Sequence, residues 1–310
     1  MGKRRLGKTG LDVSALGFGG AEVGYLESDR KEVSDLLNTL LDDGVNLIDT
    51  AAGYDESEDL IGEAIGHRRD EYVLVSKCGR ALDGIDGDAW SATVVEQTVE
   101  RALRRLQTDR LDVMLLHSCD LETLKRGEAL GALAKARDAG KVRFFGYSGD
   151  NEAVAYAAGL DEVAVIETSI SICDQVNIDG VLPIVRRNDV GVLVKRPIAN
   201  AAWRKASEQR GMYANYARTY SERLAKMAIT PGDLGFPGDP GVVWPEIALR
   251  FTLSQSGVTS AIVGTTNASH VERNVAAVSK GALPEDAIDA LRDAFRRAEA
   301  ASGGAWTGQI

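Results

Sequence analysis

Six polar residues stand where short apolar runs end. They are Asp49 after NLI, Lys77 after YVLVS, His117 after LDVMLL, Ser148 after VRFFGY, Glu167 after VAVI and Lys195 after GVLV. Each alone has an ordinary reading. Asp49 can cap a helix, Lys77 can reach solvent from a strand end, and His117 can be a core histidine satisfied by backbone. Together they form a set of ionisable groups that would converge on one small space if the runs were neighbouring strands. Tyr54 follows Asp49 by five residues. A phenol ionises near about pH 10. An ammonium such as Lys77 beside it favours phenolate and is expected to lower that value by roughly 1–3 units. Tyr54 would then serve as a general acid near neutral pH. Asp49 would pair with Lys77 and limit its desolvation cost. His117 could orient a substrate carbonyl through a hydrogen bond. Such a set can protonate a carbonyl oxygen. It contains no evident nucleophile and no cluster of metal ligands, and it lacks a hydride donor, so a bound cofactor is implied.

The elements that must position these residues repeat along the chain. Apolar runs occur at 13–20, 46–51, 72–77, 111–117, 142–148, 163–168, 191–196 and 260–265. They show no clean alternation, as expected of parallel strands buried on both faces. Amphipathic segments separate them. Val33, Leu36, Leu37, Leu40 and Leu41 recur at helical spacing before Gly44, and Val95, Val99, Ala102, Leu103 and Leu106 do the same. DDG-VN, DAG-KV and NDV-GV mark the returns from helix to strand. Eight successive βα units predict a (β/α)8 TIM barrel over a single domain, 1–310. No G-x-G-x-x-G follows the first strand, which argues against an open dinucleotide-binding sheet. KRRLGKTGLDVS predicts an N-terminal β-hairpin with Lys8-Thr9-Gly10 at the turn, ASHVERNVAAV (268–278) an eighth helix, and 284–300 an extra C-terminal helix. A long insertion, 197–243, carries Trp203, Tyr213, Tyr216 and Tyr220, and a Gly-rich tail spans 301–310. The insertion reads either as a lid at the catalytic face or as a surface excursion with a short helix.

Composition narrows the classes. The chain has 310 residues, 44% of them apolar and 26% charged, which is ordinary globular usage. A net charge of −10 argues against nucleic acid or an anionic membrane as the main partner. Cys78, Cys119 and Cys173 form no C-x-x-C pair, so neither a disulfide framework nor structural zinc is expected. The basic start MGKRRLGKTG has no apolar stretch behind it, Leu6 stands where a myristoylation signal takes Ser or Thr, and no apolar run approaches a membrane span. The expectation is a cytoplasmic α/β protein, a monomer or small homo-oligomer.

On these motifs the chain resembles the aldo-keto reductase family. NLIDTAAGYDESEDLIGEAI (46–65) resembles the family's segment bearing the aspartate and catalytic tyrosine. VSKCG (75–79) is similar to its lysine segment and LDVMLLHS (111–118) to its histidine segment. GYSG (146–149) and VGTTNASHVERN (263–274) resemble its cofactor segments. The resemblance runs from the hairpin to about residue 280. It implies a (β/α)8 barrel that binds a nicotinamide dinucleotide and reduces aldehydes or ketones. It assigns Tyr54 as general acid/base, Lys77 and Asp49 as the groups that tune it, and His117 as the residue that orients the carbonyl. It places Ser148 on the carboxamide, with Gly149 beside it, and Gly20 and Ala21 close to the cofactor. Gly264, Thr265 and Thr266 would cradle the adenosine-side phosphate at a helix N-terminus, and Asn274 would reach the adenine.

Three positions depart from the family pattern. Gly149 stands where Asn is frequent, Glu167 where a Gln usually contacts the carboxamide, and Lys195 near a position where many members stack an aromatic ring. Ionised Glu accepts from an amide NH2 but cannot donate. Glu167 and Lys195 are expected to form a compensating pair. Members that prefer the 2′-phosphate usually carry Lys or Arg around positions 264 and 270, where this chain has Gly264 and His270. Arg273 is near, and Thr265, Thr266, Asn267 and His270 could still bond a 2′-phosphate. NADP(H) is favoured, with NAD(H) possible. Tyr25, Tyr54, His117, Trp203 and Trp306, with Cys119 and Asp120, could line a largely apolar pocket for a small carbonyl compound. Two other readings stay open: a slow cofactor-sensing scaffold of the same fold, and a lyase forming a Schiff base on Lys77 or Lys195.

Overall fold

β1 (Lys3–Arg5) and β2 (Asp12–Ser14) form an antiparallel hairpin in this computed structural model, which describes residues 2–26, 29–205, 209 and 213–309. Eight strands follow: β3 (Leu16–Gly19), β4 (Leu47–Asp49), β5 (Val73–Cys78), β6 (Leu111–His117), β7 (Val142–Ser148), β8 (Val165–Ser169), β9 (Gly191–Lys195) and β10 (Ser260–Val263). All pair in parallel with their sequence neighbours, and β10 pairs back to β3, closing the barrel. This is the (β/α)8 architecture that the eight apolar runs predict.

Two runs are divided differently from the expectation. The run 13–20 serves two sheets: Val13 and Ser14 belong to the hairpin, and the barrel strand starts at Leu16. Asn46 sets the break, because its Oδ1 accepts from the Ser14 backbone N–H at 2.6 Å and its own N–H donates to Ser14 Oγ at 3.0 Å. The last run leaves the sheet after Val263, and a helix begins at Ala268.

The helices follow their amphipathic patterns. Asp29 caps Arg30–Asp42 by accepting from Lys31 N and Glu32 N, the helix buries its predicted stripe, and Gly44 turns the chain with φ 82°. At NDV-GV the turn is made by Asp189 (φ 50°), not by the glycine. Gly191 has a different role: a Cβ there would lie 2.6 Å from Leu6 Cδ1, so only glycine lets the hairpin's Leu6 seat under the barrel. The helices Ala268–Ser279 and Glu285–Ala301 appear where expected. The 197–243 segment is no open loop, since it contains the helix Tyr213–Met227. Residues 206–208 and 210–212 of that segment, the Tyr213 side chain, and residue 310 of the tail lie outside the described residues. Tyr220, Met227, Trp244, Phe251, Leu291 and Phe295 form a second core that joins this segment to the last helix. Among the described residues, no helix is long and apolar enough to cross a membrane.

Side chains alternate between two destinations along each barrel strand, although both are dry. Leu47, Val73, Val75, Val113, Leu115, Val165, Leu193 and Ile262 fill the barrel interior above Leu6 and Val13. Ile48, Leu74, Met114, Leu116, Ile166, Val192 and Val194 pack outward with the helix layer. Continuing the inward parity by two residues lands on Asp49, Lys77, His117, Glu167 and Lys195. The barrel thus aims its last inward positions at one space above its apolar filling. Leu6→Ala should cost about 2–5 kcal/mol in urea unfolding, because it empties a fully buried site beneath that filling.

Candidate active site

Lys77, Asp49 and Glu167 form the floor of the mouth and are 1%, 3% and 2% exposed. Lys77 Nζ donates to both oxygens of Asp49 at 2.7 Å and to the Thr50 carbonyl at 3.0 Å. Glu167 Oε2 lies 3.1 Å from the same nitrogen. Burial alone would lower the Lys77 ammonium, but the charges of Asp49 and Glu167 outweigh it and hold the lysine protonated above its ordinary range. With its three N–H groups engaged and its proton held, Lys77 is a poor Schiff-base nucleophile.

Tyr54 stands over this cluster. Lys77 Nζ is 5.2 Å from its ring centroid, and its ring meets His117 edge-on at 5.7 Å. Tyr25 flanks it at 5.7 Å and donates its hydroxyl to the Gly53 carbonyl at 2.8 Å. The expected lowering of the Tyr54 phenol is overturned. Burial is the largest influence, and with the charges of Asp49 and Glu167 it exceeds the pull of Lys77, so the phenol is raised above its ordinary value. Tyr54 is therefore a proton carrier at neutral pH. Its hydroxyl makes no hydrogen bond among the described residues. Burial, then the charges of Lys77, Arg80 and Lys195, push His117 well below the usual imidazole range. His117 is a neutral hydrogen-bonding group.

The expected Glu167–Lys195 pair does not form. Register explains this: Glu167 is level with Leu193, whereas Lys195 is level with Ser169, one inward step higher. Lys195 pairs instead with Asp150 at 2.9 Å. Asp150 also accepts from Thr168 Oγ1, Ser169 N and Asn177 Nδ2. Burial would raise its carboxyl, but the Lys195 charge and these bonds hold it below the ordinary value. Asp150 was hidden in the sequence because an Asp before NEAVAYAA reads as a helix cap. Gly149 is explained by its neighbour: the Tyr147 ring, whose hydroxyl donates to the Cys119 carbonyl at 2.6 Å, fills the space a Cβ would need.

The remaining site residues fall in two groups. Gly20 donates its N–H to the Asp49 carbonyl at 2.7 Å, and Ala21 opens the short helix Ala21–Tyr25 beside it. Gly264 lies across from Gly19, and Glu22, which carries no motif in the sequence, packs its side chain against Gly264. Thr265 Oγ1 accepts from Asn267 N at 3.0 Å and meets His270 Nδ1 at 3.2 Å. Thr266 is exposed and Asn274 buried on the helix that follows. Trp203 and Trp306 stand apart from Tyr54 in their packing. Trp203 stacks on Trp244 at 6.1 Å, and Trp306 packs edge-on against Phe295 at 4.9 Å with Arg223 over its ring.

A nicotinamide dinucleotide fits the donor set. Glu167 Oε2 is buried without a hydrogen-bond donor among the described residues. Ser148 Oγ is 3.4 Å from Glu167 Oε1. A primary amide placed here would give its NH2 to Glu167 and accept from Ser148. At Gly264 a Cβ would lie 3.2 Å from the Gly19 carbonyl, so the absence of a side chain keeps a narrow cradle before a helix N-terminus.

A parallel barrel thus carries a protonated phenol, a fixed ammonium and a neutral imidazole together at its mouth. A model of the Aldo/keto reductase family matches residues 15–295, and the chain belongs to that family. It is 28% identical to the Bacillus subtilis (strain 168) oxidoreductase YqkF over 94% of this chain and 96% of that one. It is 29% identical to L-galactose dehydrogenase of Arabidopsis thaliana over 89% and 88% of the two chains. The solved structure of aldo-keto reductase AKR11C1 from Bacillus halodurans in its holo form is 25% identical and superposes with a TM-score of 0.77, covering 95% and 96%. The chain is an NAD(P)H-dependent oxidoreductase of a small-molecule carbonyl substrate.

The His117 environment has a measurable consequence. Its folded value is depressed, so the unfolded chain binds the proton first as pH falls. Stability from this group is complete above about pH 6.5 and declines below it. An NMR titration should find the His117 ring neutral at about pH 6, where an ordinary imidazole is largely protonated. His117→Asn should make the urea midpoint less acid-sensitive there.

Proposed function

We propose that the chain reduces a small aldehyde or ketone to an alcohol, or runs the reverse reaction, with Tyr54 as the acid/base. The observation that carries this reading is Tyr54: its phenol keeps its proton, its hydroxyl makes no hydrogen bond among the described residues, and its ring lies 5.2 Å from the Lys77 ammonium and meets the neutral His117 ring edge-on. A bound nicotinamide supplies the hydride that the protein lacks. His117 donates a hydrogen bond to the carbonyl oxygen and orients it toward Tyr54. Tyr54 releases its proton to that oxygen as negative charge develops there. The phenolate left behind is stabilised by Lys77, which Asp49 and Glu167 keep in place and charged. In alcohol oxidation the same phenolate takes the proton back.

Ser148 and Glu167 hold the carboxamide, Gly20 and Ala21 flank the cofactor, and Gly264 to Thr266 with Asn274 receive its adenosine end. Lys195, tied to Asp150, borders the nicotinamide side. NADP(H) is the favoured cofactor. His270 sits at the phosphate-side segment with the charges of Arg273 and Arg204 acting on it, which suits an additional phosphate. Tyr25 and Tyr54 give the substrate side an aromatic wall.

Tyr54→Phe should lower kcat for carbonyl reduction by about 10²–10⁴-fold. NADPH affinity, followed by quenching of tryptophan fluorescence, should stay within about threefold, because the phenol ring and its contacts remain. Parallel loss of cofactor binding would assign Tyr54 a structural part and sink the acid/base role. Titration with NADPH and NADH separately should give the tighter constant for NADPH, and an equal or reversed order would overturn the cofactor preference.

A further inference from the structure

Glu167 has a charge that the geometry does not spend. Lys77 gives its three N–H groups to the two Asp49 oxygens and Thr50 O. Glu167 Oε2, 3.1 Å from Nζ, receives none of them. One ammonium therefore faces two carboxylates in a space sealed from water. The other groups around it do not cancel the surplus. Lys195 on the neighbouring strand is paired with Asp150, Arg80 is at the lip with its Nε on the His117 carbonyl, and Ser148, Tyr54 and His117 carry no positive charge.

This surplus lies where the hydride donor must work. The carbon attacked by hydride is bonded to the oxygen that Tyr54 protonates, so the donor ring has to come within about 3–3.5 Å of that carbon. The ring is uncharged when reduced and cationic when oxidised. Building on the function proposed above, we propose that Glu167 sets the redox preference of the site, favouring the oxidised cofactor over the reduced one more than a neutral side chain at this position would. Glu167 is then both a contact for the carboxamide and a positioning charge behind it. Stabilising the oxidised form makes the bound reduced form a stronger hydride donor. A tenfold change in the ratio of the two affinities corresponds to about 30 mV for a two-electron couple.

The test is binding, not turnover. Wild type and Glu167→Gln are titrated with NADP+ and NADPH by calorimetry. Glu167→Met provides a second neutral side chain should the Gln variant fail to fold by circular dichroism. The neutral variants should weaken NADP+ about tenfold relative to NADPH. Binding of both forms with an unchanged ratio, or equal weakening of both, overturns the inference and leaves the proposed function standing. Failure of wild type to bind either form overturns the proposed function and this inference with it.

Discussion

One buried ammonium organises the mouth of this barrel. Lys77 is held by both oxygens of Asp49 and by a backbone carbonyl, with Glu167 in ionic contact. Such a group is tolerated inside a protein only with close, complementary partners. Those partners come from β4 and β8, while Lys77 comes from β5, so three strands must end at compatible heights. The apolar interior beneath, seated on Leu6 and Val13, sets those heights. Tyr54 and His117 then acquire their protonation states from the same dry surroundings: one keeps a proton and the other refuses one.

Much of this was legible in the sequence. Eight apolar runs divided by amphipathic segments specify a closed parallel barrel, and polar residues at run ends mark the rim of its mouth. Asp49, Lys77 and His117 could be read because a polar group at the end of a buried strand must either reach water or meet a partner, and three such residues at neighbouring strand ends can meet one another; Tyr54 could be read from its place five residues past Asp49. The failures share a physical origin in the third dimension. Glu167 and Lys195 both end inward-facing runs, but the register between β8 and β9 places them on different levels. Asp150, the true partner of Lys195, has the sequence signature of a helix cap. The direction of the Tyr54 shift depends on how completely the phenol is buried, which spacing along the chain does not encode.

The aromatic residues give a second instance. Trp203 and Trp306 lie in an insertion and a tail, where exposed aromatics would line a pocket. Instead they are packed against Trp244 and Phe295 beside the core that ties the insertion to the last helix. A large ring in a loop-rich segment is available to ligand only if no nearby apolar surface claims it first, and here Trp244 takes Trp203 and Phe295 takes Trp306.

The alternation of inward and outward side chains bears on how the chain finds this fold. A strand that paired one residue out of step would exchange its two faces. For most of β5 the exchange is nearly silent, since Val73, Leu74 and Val75 are apolar whichever way they point. Lys77 breaks that symmetry. Turned toward the helix layer it would lose both Asp49 oxygens and the Thr50 carbonyl and meet Glu58, which already accepts from Ser76 Oγ and lies 3.7 Å from Arg105; a charge so displaced costs several kcal/mol, comparable with the whole margin that separates folded from unfolded chains. The charged rim thus serves as a proofreading device, rejecting shifted pairings that the hydrophobic pattern alone would accept.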